Sequence, residues 1–441
     1  MENKLTFLVF DPSGIYTTHA NALANKGKNK VYYVTNTTSA FPTLEQFSPG
    51  KDFEYLTKED NPFDLIVEKG DEISCIACFD SMQQDLIYFL KEAYPKLYPN
   101  HKISIFGSAL GARVENDREG FKKILKRLGL DVGDKLNHDQ KGKAGDYYIA
   151  HGIDELEELN KKHGELYIKL DKFRGTFETQ KLAKYEDEVI DGTFDQMRID
   201  LGPPFKNSQK FIVECPVKGL ETGYDIFVNK TGILKKTLWG MEFKKGPYAG
   251  TTKPMPPILQ NSAERMAKFL KALDYRAPFS TENILTKDGK DFLEDPTPRG
   301  PLPLSVGYPV WIKNWDEVVY KIGLNEDVNI DIRSTYVLAV PLYSAEGKES
   351  YVRIKIDPAH RKNIQFRGVC GDGKSNYFGI KGYEMMAAIV LEGNDLEKLI
   401  EQAKEEVNYI EFEGKESFQV SVLDELFEKI KEMKNYGLDF L

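Results

Sequence analysis

Ser280–Gly300 reads STENILTKDGKDFLEDPTPRG. Two strand-like runs flank Asp288 and Gly289, a pair that suits the tight turn of a hairpin, so the spacing predicts Glu282 on one strand and Glu294 and Asp295 on the other. Carboxylates converging from two strands can hold a divalent cation on a triphosphate, where the metal neutralises charge on a moving phosphoryl group. An exposed acidic hairpin end has the same composition. The segments upstream weigh the two readings.

Tyr167–Thr179, YIKLDKFRGTFET, delivers Lys169 on a strand and then a turn with Lys172, Arg174, Gly175, Thr176 and Thr179. Point charges, hydroxyls and exposed backbone N–H groups in such a turn can hold a polyphosphate. A lysine on a solvated strand edge is the plainer alternative. Neither G-x-x-x-x-G-K-[ST] nor G-x-G-x-x-G occurs in the chain, which sets aside the two common nucleotide fingerprints. Phe211–Gly232, FIVECPVKGLETGYDIFVNKTG, reads as two strands joined by a turn at Lys218 and Gly219, with Glu214 and Glu221 at their ends. Backbone groups there and one acid can read an adenine amine, while a second acid accepts from ribose hydroxyls.

Further out, Leu5–Phe10, Lys30–Val34, Ile73–Cys78 and Ile103–Phe106 are short apolar runs separated by helical stretches, the texture of an open parallel sheet. In DREGFKKILKRLGL (Asp117–Leu130), Phe121, Ile124, Leu125 and Leu128 form a helical stripe, with Asn116 or Asp117 to cap its start and Gly129 its end. Asn137–Gly145 is polar and predicts a loop. A helix is expected over Ser262–Leu273, a new strand region from Tyr336, and two closing helices over Asp395–Val407 and Ser421–Met433.

The totals bound the function. A chain of 441 residues with 41% hydrophobic content supports two to four packed subdomains. Lys and Arg number 60 against 69 Asp and Glu, a formal charge of -9, which disfavours nonspecific attraction to nucleic acid or an anionic membrane. The opening MENKLTFLVFDPSG carries an apolar run too short for a signal-peptide core or a spanning helix, so a soluble, cytoplasmic protein is expected. Four cysteines make no disulfide framework. Cys75 and Cys78 form a C-x-x-C, read as two small core residues because no second pair completes a metal site.

Lysine strand, adenine strand and carboxylate hairpin, in this order, resemble the ATP-grasp superfamily. More narrowly, the chain is similar to the phosphoribosylamine–glycine ligase (glycinamide ribonucleotide synthetase) family. GSALGARVENDREGFKKIL (Gly107–Leu125) is similar to that family's G-P-x-x-x-A-A-x-x-E-x-S-K helix start, with Arg118 where a nucleotide-binding lysine stands. VECPVKGLETGYDIFV, KKGPYAGTTKPM (Lys244–Met255), YRAPFSTENILTKDGKDFLED and the stretch Ile380–Gly414 resemble further family segments. The resemblance implies a mixed α/β and α+β chain: a Rossmann-like domain over 1–106, an ATP-grasp nucleotide-binding and catalytic domain over 107–333, and a small C-terminal α+β domain over 334–441. It implies ATP at Arg118, Lys169, Lys172, Gly175, Thr176, Glu214, Cys215, Val217 and Glu221, and Mg2+ or Mn2+ at Glu282, Glu294, Asp295 and Thr297. Lys169 and Arg299 are the implied catalytic residues. The resemblance also implies substrate contacts at Ser13, Gly14, Thr17, His19 and Arg299, the substrates being a small-molecule carboxylate and an amine joined through an acyl phosphate.

The substrate side departs from the family. FDPSGIYTTHANALA (Phe10–Ala24) replaces a glycine-rich turn and keeps only Gly14, His19 and Ala20 of it. FDSMQQDL (Phe79–Leu86) and RGPLPLSVGYP (Arg299–Pro309) replace two further motifs. Aligned without a gap, Glu294 takes the family's glutamate and Pro296 its asparagine; slipped by one, Asp295, Thr297 and Arg299 fill the ligand and arginine positions, the alignment preferred here. Three readings stand at this point: an amide-forming ligase with changed substrates, a nucleotide-binding regulatory or scaffold protein derived from one, and a carboxylate kinase that releases acyl phosphate. The oligomeric state is left open.

Overall fold

The computed structural model describes residues 4–35, 47–82, 84–171, 180–185, 187–203, 206–243, 246–372, 376–416 and 420–441. They fall into two compact units assembled from separated stretches: Met1–Ala112 with Thr222–Ser280 and Thr297–Leu441, and Arg113–Glu221 with Thr281–Pro296.

The first unit opens with β1 (Thr6–Phe10), β2 (Lys30–Val34), β3 (Thr57–Glu59), β4 (Cys75–Ala77) and β5 (Ser104–Phe106), all parallel in the order β3-β2-β1-β4-β5. Side chains alternate across such a sheet. Phe7, Val9, Val31 and Tyr33 enter one core, while Leu8, Phe10, Tyr32 and Val34 enter another beneath the helices Pro62–Lys69 and Gln84–Leu97. Alternation also settles the C-x-x-C: Cys75 lies in the first core and Cys78 in the second. Burial pushes the Cys75 thiol up to about 12 and that of Cys78 higher still. Strand order reverses beside β1, whose neighbours are β2 and β4, and loops leaving two such strands open a crevice at their C-terminal ends.

The second unit opens on the helix Arg118–Leu128, capped by the Asp117 carboxylate, which accepts from Gly120 N–H at 3.1 Å, and ended by Gly129 at φ 68°. Then come β6 (Tyr147–His151), β7 (Leu166–Leu170), β8 (Gln180–Leu182) and β9 (Lys210–Glu214), an antiparallel sheet in the order β6-β9-β7-β8. The helices Gly152–His163 and Asp187–Leu201 accompany it, and Ile153, Leu156, Leu159, Phe194 and Met197 join its core.

Then follow β10 (Leu220–Asn229), β11 (Gly232–Ile233), β12 (Leu238–Glu242), β13 (Tyr248–Thr251), β14 (Pro278–Leu285), β15 (Asp291–Thr297) and β16 (Tyr336–Tyr343). The C-terminal stretch adds β17 (Val352–Ile356), β18 (Ile364–Phe366), β19 (Val369–Gly371), β20 (Tyr377–Gly379), β21 (Met385–Gly393) and β22 (Ile410–Phe412). In the first unit β10, β12, β13, β16, β21 and β18 lie side by side, and β19-β20-β17-β22 form a smaller sheet. The expected pair on either side of Lys218 and Gly219 does exist as strands, but β9 and β10 belong to different sheets. Expected helices appear at Pro257–Ala272, Leu396–Glu406 and Val420–Glu432. Among the described residues no helix is long and apolar enough to cross a membrane.

Candidate functional site

The β6-β9-β7-β8 sheet turns one face to its helices, and alternation assigns the other. In LYIKL, Leu166, Ile168 and Leu170 join the helix-side core, leaving Tyr167 and Lys169 on the opposite face. In KFIVE, Phe211 and Val213 go to the core, so Ile212 and Glu214 share the face of Lys169. Antiparallel register sets Glu214 opposite Tyr167. Lys169, two residues along, reaches back diagonally across the pair.

Its ammonium lies 3.0 Å from Glu214 Oε2 and 3.5 Å from Glu294 Oε2, and donates to the Glu294 carbonyl at 2.9 Å. From the helix Arg118–Leu128, Lys122 pairs with the second oxygen of Glu214, and Arg118 Nη1 pairs with Asp295 Oδ1 at 2.8 Å. Lys169, Lys122, Arg118 and Glu214 are all buried. Burial alone would pull the Lys169 ammonium down; the carboxylates of Glu214, Glu294 and Asp295 outweigh it and raise it above the usual lysine value. Burial likewise opposes ionisation of Glu214, but Lys122 and Lys169 hold it below the usual range. Glu294 is pushed up by burial and then by Glu214. Fixed cations and carboxylates of unequal strength therefore share one sheet face.

Asp171, just after β7, positions this group. Its carbonyl accepts from Arg118 N–H and its Oδ1 from Glu119 N–H, each at 3.1 Å, and Lys210 lies 3.1 Å from its Oδ2. The sequence reading named neither Asp171 nor Lys122. A signal existed for Lys122, which stands four residues after Arg118 and so on the same helical face.

The other expected nucleotide and metal residues are placed variously. Lys172, Gly175 and Thr176, with Arg174 and Thr179, lie outside the described residues, as does Lys244. The N–H of Cys215 donates to Asp146 and its carbonyl accepts from Gly145, at 2.8 and 3.2 Å, so backbone groups offered to adenine are engaged within the unit. Val217 is half-buried, and no hydrogen bond or ion pair joins the exposed Glu221 to the Lys169 group. The hairpin turns as expected, with Gly289 at φ 82° and its N–H on the Thr286 carbonyl at 3.0 Å. Glu282 is exposed on β14, and Thr297, the last residue of β15, falls in the first unit. No group of three His, Cys, Asp or Glu among the described residues is arranged to hold a metal by itself. Glu294 and Asp295, the two carboxylates of β15 expected to hold a metal, are each paired with a cation, Lys169 and Arg118 respectively.

In the first unit, the loop after β1 is organised by Asp11. Its carboxylate accepts from Gly14 N–H at 2.9 Å, Tyr16 N–H at 2.7 Å and Tyr33 Oη at 2.6 Å. Burial raises it to about 6, against the Tyr33 and Tyr16 bonds, with Asp80 adding to the rise. Of the residues expected on the substrate side, Gly14 thus has its N–H taken by Asp11. Ser13 Oγ donates to Asp80 Oδ2 at 2.6 Å, joining the loops after β1 and β4. Thr17 is fully buried. His19, expected on the substrate side, is instead a core residue: Tyr16, Phe79, Tyr308 and Trp315 surround its ring, and neither nitrogen has a hydrogen-bond partner among the described residues. Burial lowers it to about 3, so it stays neutral. Arg299 is half-buried in this unit.

No family model matches the sequence, and no curated protein matches it. Solved structures do match. Phosphoribosylamine–glycine ligase from Thermotoga maritima is similar over 93% of this chain and 98% of its own, at 16% identity and a TM-score of 0.65. The ADP complex of an N5-carboxyaminoimidazole ribonucleotide synthetase matches over 97% and 99%, at 13% identity and 0.60. The biotin carboxylase domain of Hydrogenobacter thermophilus 2-oxoglutarate carboxylase, solved with MgADP, ADP and bicarbonate, matches over 97% and 95%, at 12% identity and 0.63. The chain has the fold of the ATP-grasp enzymes.

Proposed function

We propose that this chain is a cytoplasmic ATP-dependent ligase that joins a small-molecule carboxylate to an amine through an acyl phosphate, releasing ADP and phosphate. The observation that carries the reading is the buried Lys169, set on a sheet face with Lys122 and Arg118 against Glu214, Glu294 and Asp295. It is supported by a fold shared with a ligase, a synthetase and a carboxylase whose solved forms include ADP and magnesium complexes.

Carboxylate oxygen is a poor leaving group, and ATP with its metal supplies the phosphoryl group that makes displacement feasible. Catalysis is then mostly positioning and charge neutralisation. Lys169 and Arg118 offer positive charge to the phosphates, with Lys172, Gly175 and Thr176 in the following turn. Glu214, held ionised by two ammoniums, fixes Lys169 and Lys122 in place. Glu294 and Asp295, with Glu282 and Thr297 as further donors, hold Mg2+ or Mn2+. Arg299 grips the oxyanion of the acid. The rewritten segments at Phe10–Ala24, Phe79–Leu86 and Arg299–Pro309 favour an acid or amine other than glycine and phosphoribosylamine.

Hydroxylamine tests the intermediate. Incubated with MgATP and a panel of carboxylic acids, the chain should form a hydroxamate from at least one acid, with ADP and phosphate in equal amount, and Lys169→Met should abolish this while remaining folded. Tight MgATP binding with no ADP from any acid would instead support a nucleotide-binding regulatory protein.

A further inference from the structure

The helices Pro62–Lys69 and Gln84–Leu97 adjoin on one side of the parallel sheet. The hydroxyls of Tyr94 and, one residue past the second helix, Tyr98 donate to the carbonyls of Gly70 and Ile66 at the end of the first. Inward, Leu65, Ile66, Ile87, Leu90 and Tyr94 fill the core beneath them. Outward, both helices stay apolar. Phe63 and Val67, four residues apart and so on one face, are 49% and 77% exposed. On the second helix Leu86, Phe89, Ala93 and Leu97 recur at i, i+3, i+7 and i+11, a second apolar stripe beside that of Ile87, Leu90 and Tyr94. Phe89 is 58% and Leu97 63% exposed.

One stripe per helix suffices to cover a sheet, so the fold does not account for the second. The four most exposed side chains together leave on the order of 400 Å² of apolar surface in water, the size at which a patch marks an interaction site. Charge indicates what covers it. Asp64 and Glu68 each lie one residue on from Phe63 and Val67 around the first helix. Asp85 and Glu92 stand four residues before and three after Phe89, on its face of the second. All four carboxylates are exposed, and none forms an ion pair among the described residues. Of the three lysines on the two helices, Lys91 pairs with Asp274 and Lys69 lies over the Tyr32 ring, leaving Lys96 against four carboxylates. A second copy would set carboxylates against carboxylates, and an anionic lipid surface would be repelled. An amphipathic helix with a basic polar face complements both the stripes and their rim.

We infer that the paired helices Pro62–Lys69 and Gln84–Leu97 form a docking surface for another protein, which offers an amphipathic α-helix with an apolar stripe flanked by Lys or Arg. From Leu86 to Leu97 the stripe runs about 16 Å, the length of three turns of an incoming helix. This surface lies beyond the ligase reading and does not depend on it.

A synthetic helical peptide of four turns tests the surface, with leucines at i, i+3, i+4 and i+7, lysines elsewhere and blocked ends. It is titrated into the full chain by calorimetry beside a peptide of the same composition in scrambled order. The ordered peptide should bind saturably, one to one, and at least tenfold more tightly than the scrambled one. Val67→Ser with Phe89→Ser should weaken it at least tenfold and leave the unfolding midpoint unchanged, since both side chains are exposed. Asp64→Asn with Glu92→Gln should flatten the salt dependence of binding. Should the double serine variant fail to fold, Phe89→Lys alone serves, with the same loss expected. No binding, equal affinity for the two peptides, or a Phe89 variant that binds as the wild type does overturns the inference. Sedimentation of the chain alone checks the occupant: a dimer that the serine variant dissociates assigns the face to a second copy and likewise overturns it.

Discussion

Lys169 is both a stabilising and a functional cation, and the two roles separate experimentally. Lys169→Met leaves Glu294 facing a buried apolar side chain while Glu214 keeps Lys122. Removing one member of a buried charge pair costs on the order of 3 kcal/mol, so denaturant unfolding should show a lower midpoint, and MgADP affinity should fall by about tenfold or more. Asp225 on β10 offers a test away from the site. Tyr248 Oη and Tyr308 Oη donate to its carboxylate at 3.0 and 3.4 Å, yet burial raises it to about 7. The folded chain then holds this proton through a window in which the unfolded chain has released it. The group's contribution is full below about pH 4 and is lost as pH rises towards 7, by on the order of a few kcal/mol. The stability of Asp225→Asn relative to the wild type should therefore climb between pH 4 and 7 and then level; a pH-independent difference contradicts the assignment. Residues were the least legible scale. The His19 echo of a family motif misled because Phe79, Tyr308 and Trp315, which bury it, are remote in sequence.

Elements were read more reliably, because period and caps are local. Lys30–Val34 is a strand at its expected bounds, and Asp117 and Gly129 close their helix as expected. That helix carries Arg118 and Lys122, so its first turn matters to function. Asp117→Ala should cost about 1 kcal/mol of stability and also weaken MgADP binding through the looser start of the helix; calorimetry showing unchanged affinity would separate capping from the site. The helix Asp187–Leu201 was missed. Its sequence contains Gly192 beside Val189, Ile190 and Thr193, residues of low helix propensity, and its packing through Phe194 and Met197 overrides them.

At the scale of the molecule, α/β and α+β character and the parallel opening sheet were legible from alternation and spacing. The assembly of each unit from distant stretches was not, since periodicity carries no record of which strands become neighbours: β13 pairs with β16, and β9 with β6 and β7. Such division makes ligand effects separable by hydrogen exchange. MgADP should slow exchange in β7, β9 and β15 and leave β1–β5 unchanged. Equal slowing across β1–β5 would contradict the assignment of nucleotide binding to the Lys169 sheet face. The central claim is tested most directly by mass balance. With MgATP and matched panels of acids and amines, the account predicts ADP, phosphate and a new amide in a one-to-one-to-one ratio for at least one pair. ADP without free phosphate or amide, or no ADP with any pair despite bound nucleotide, would contradict it.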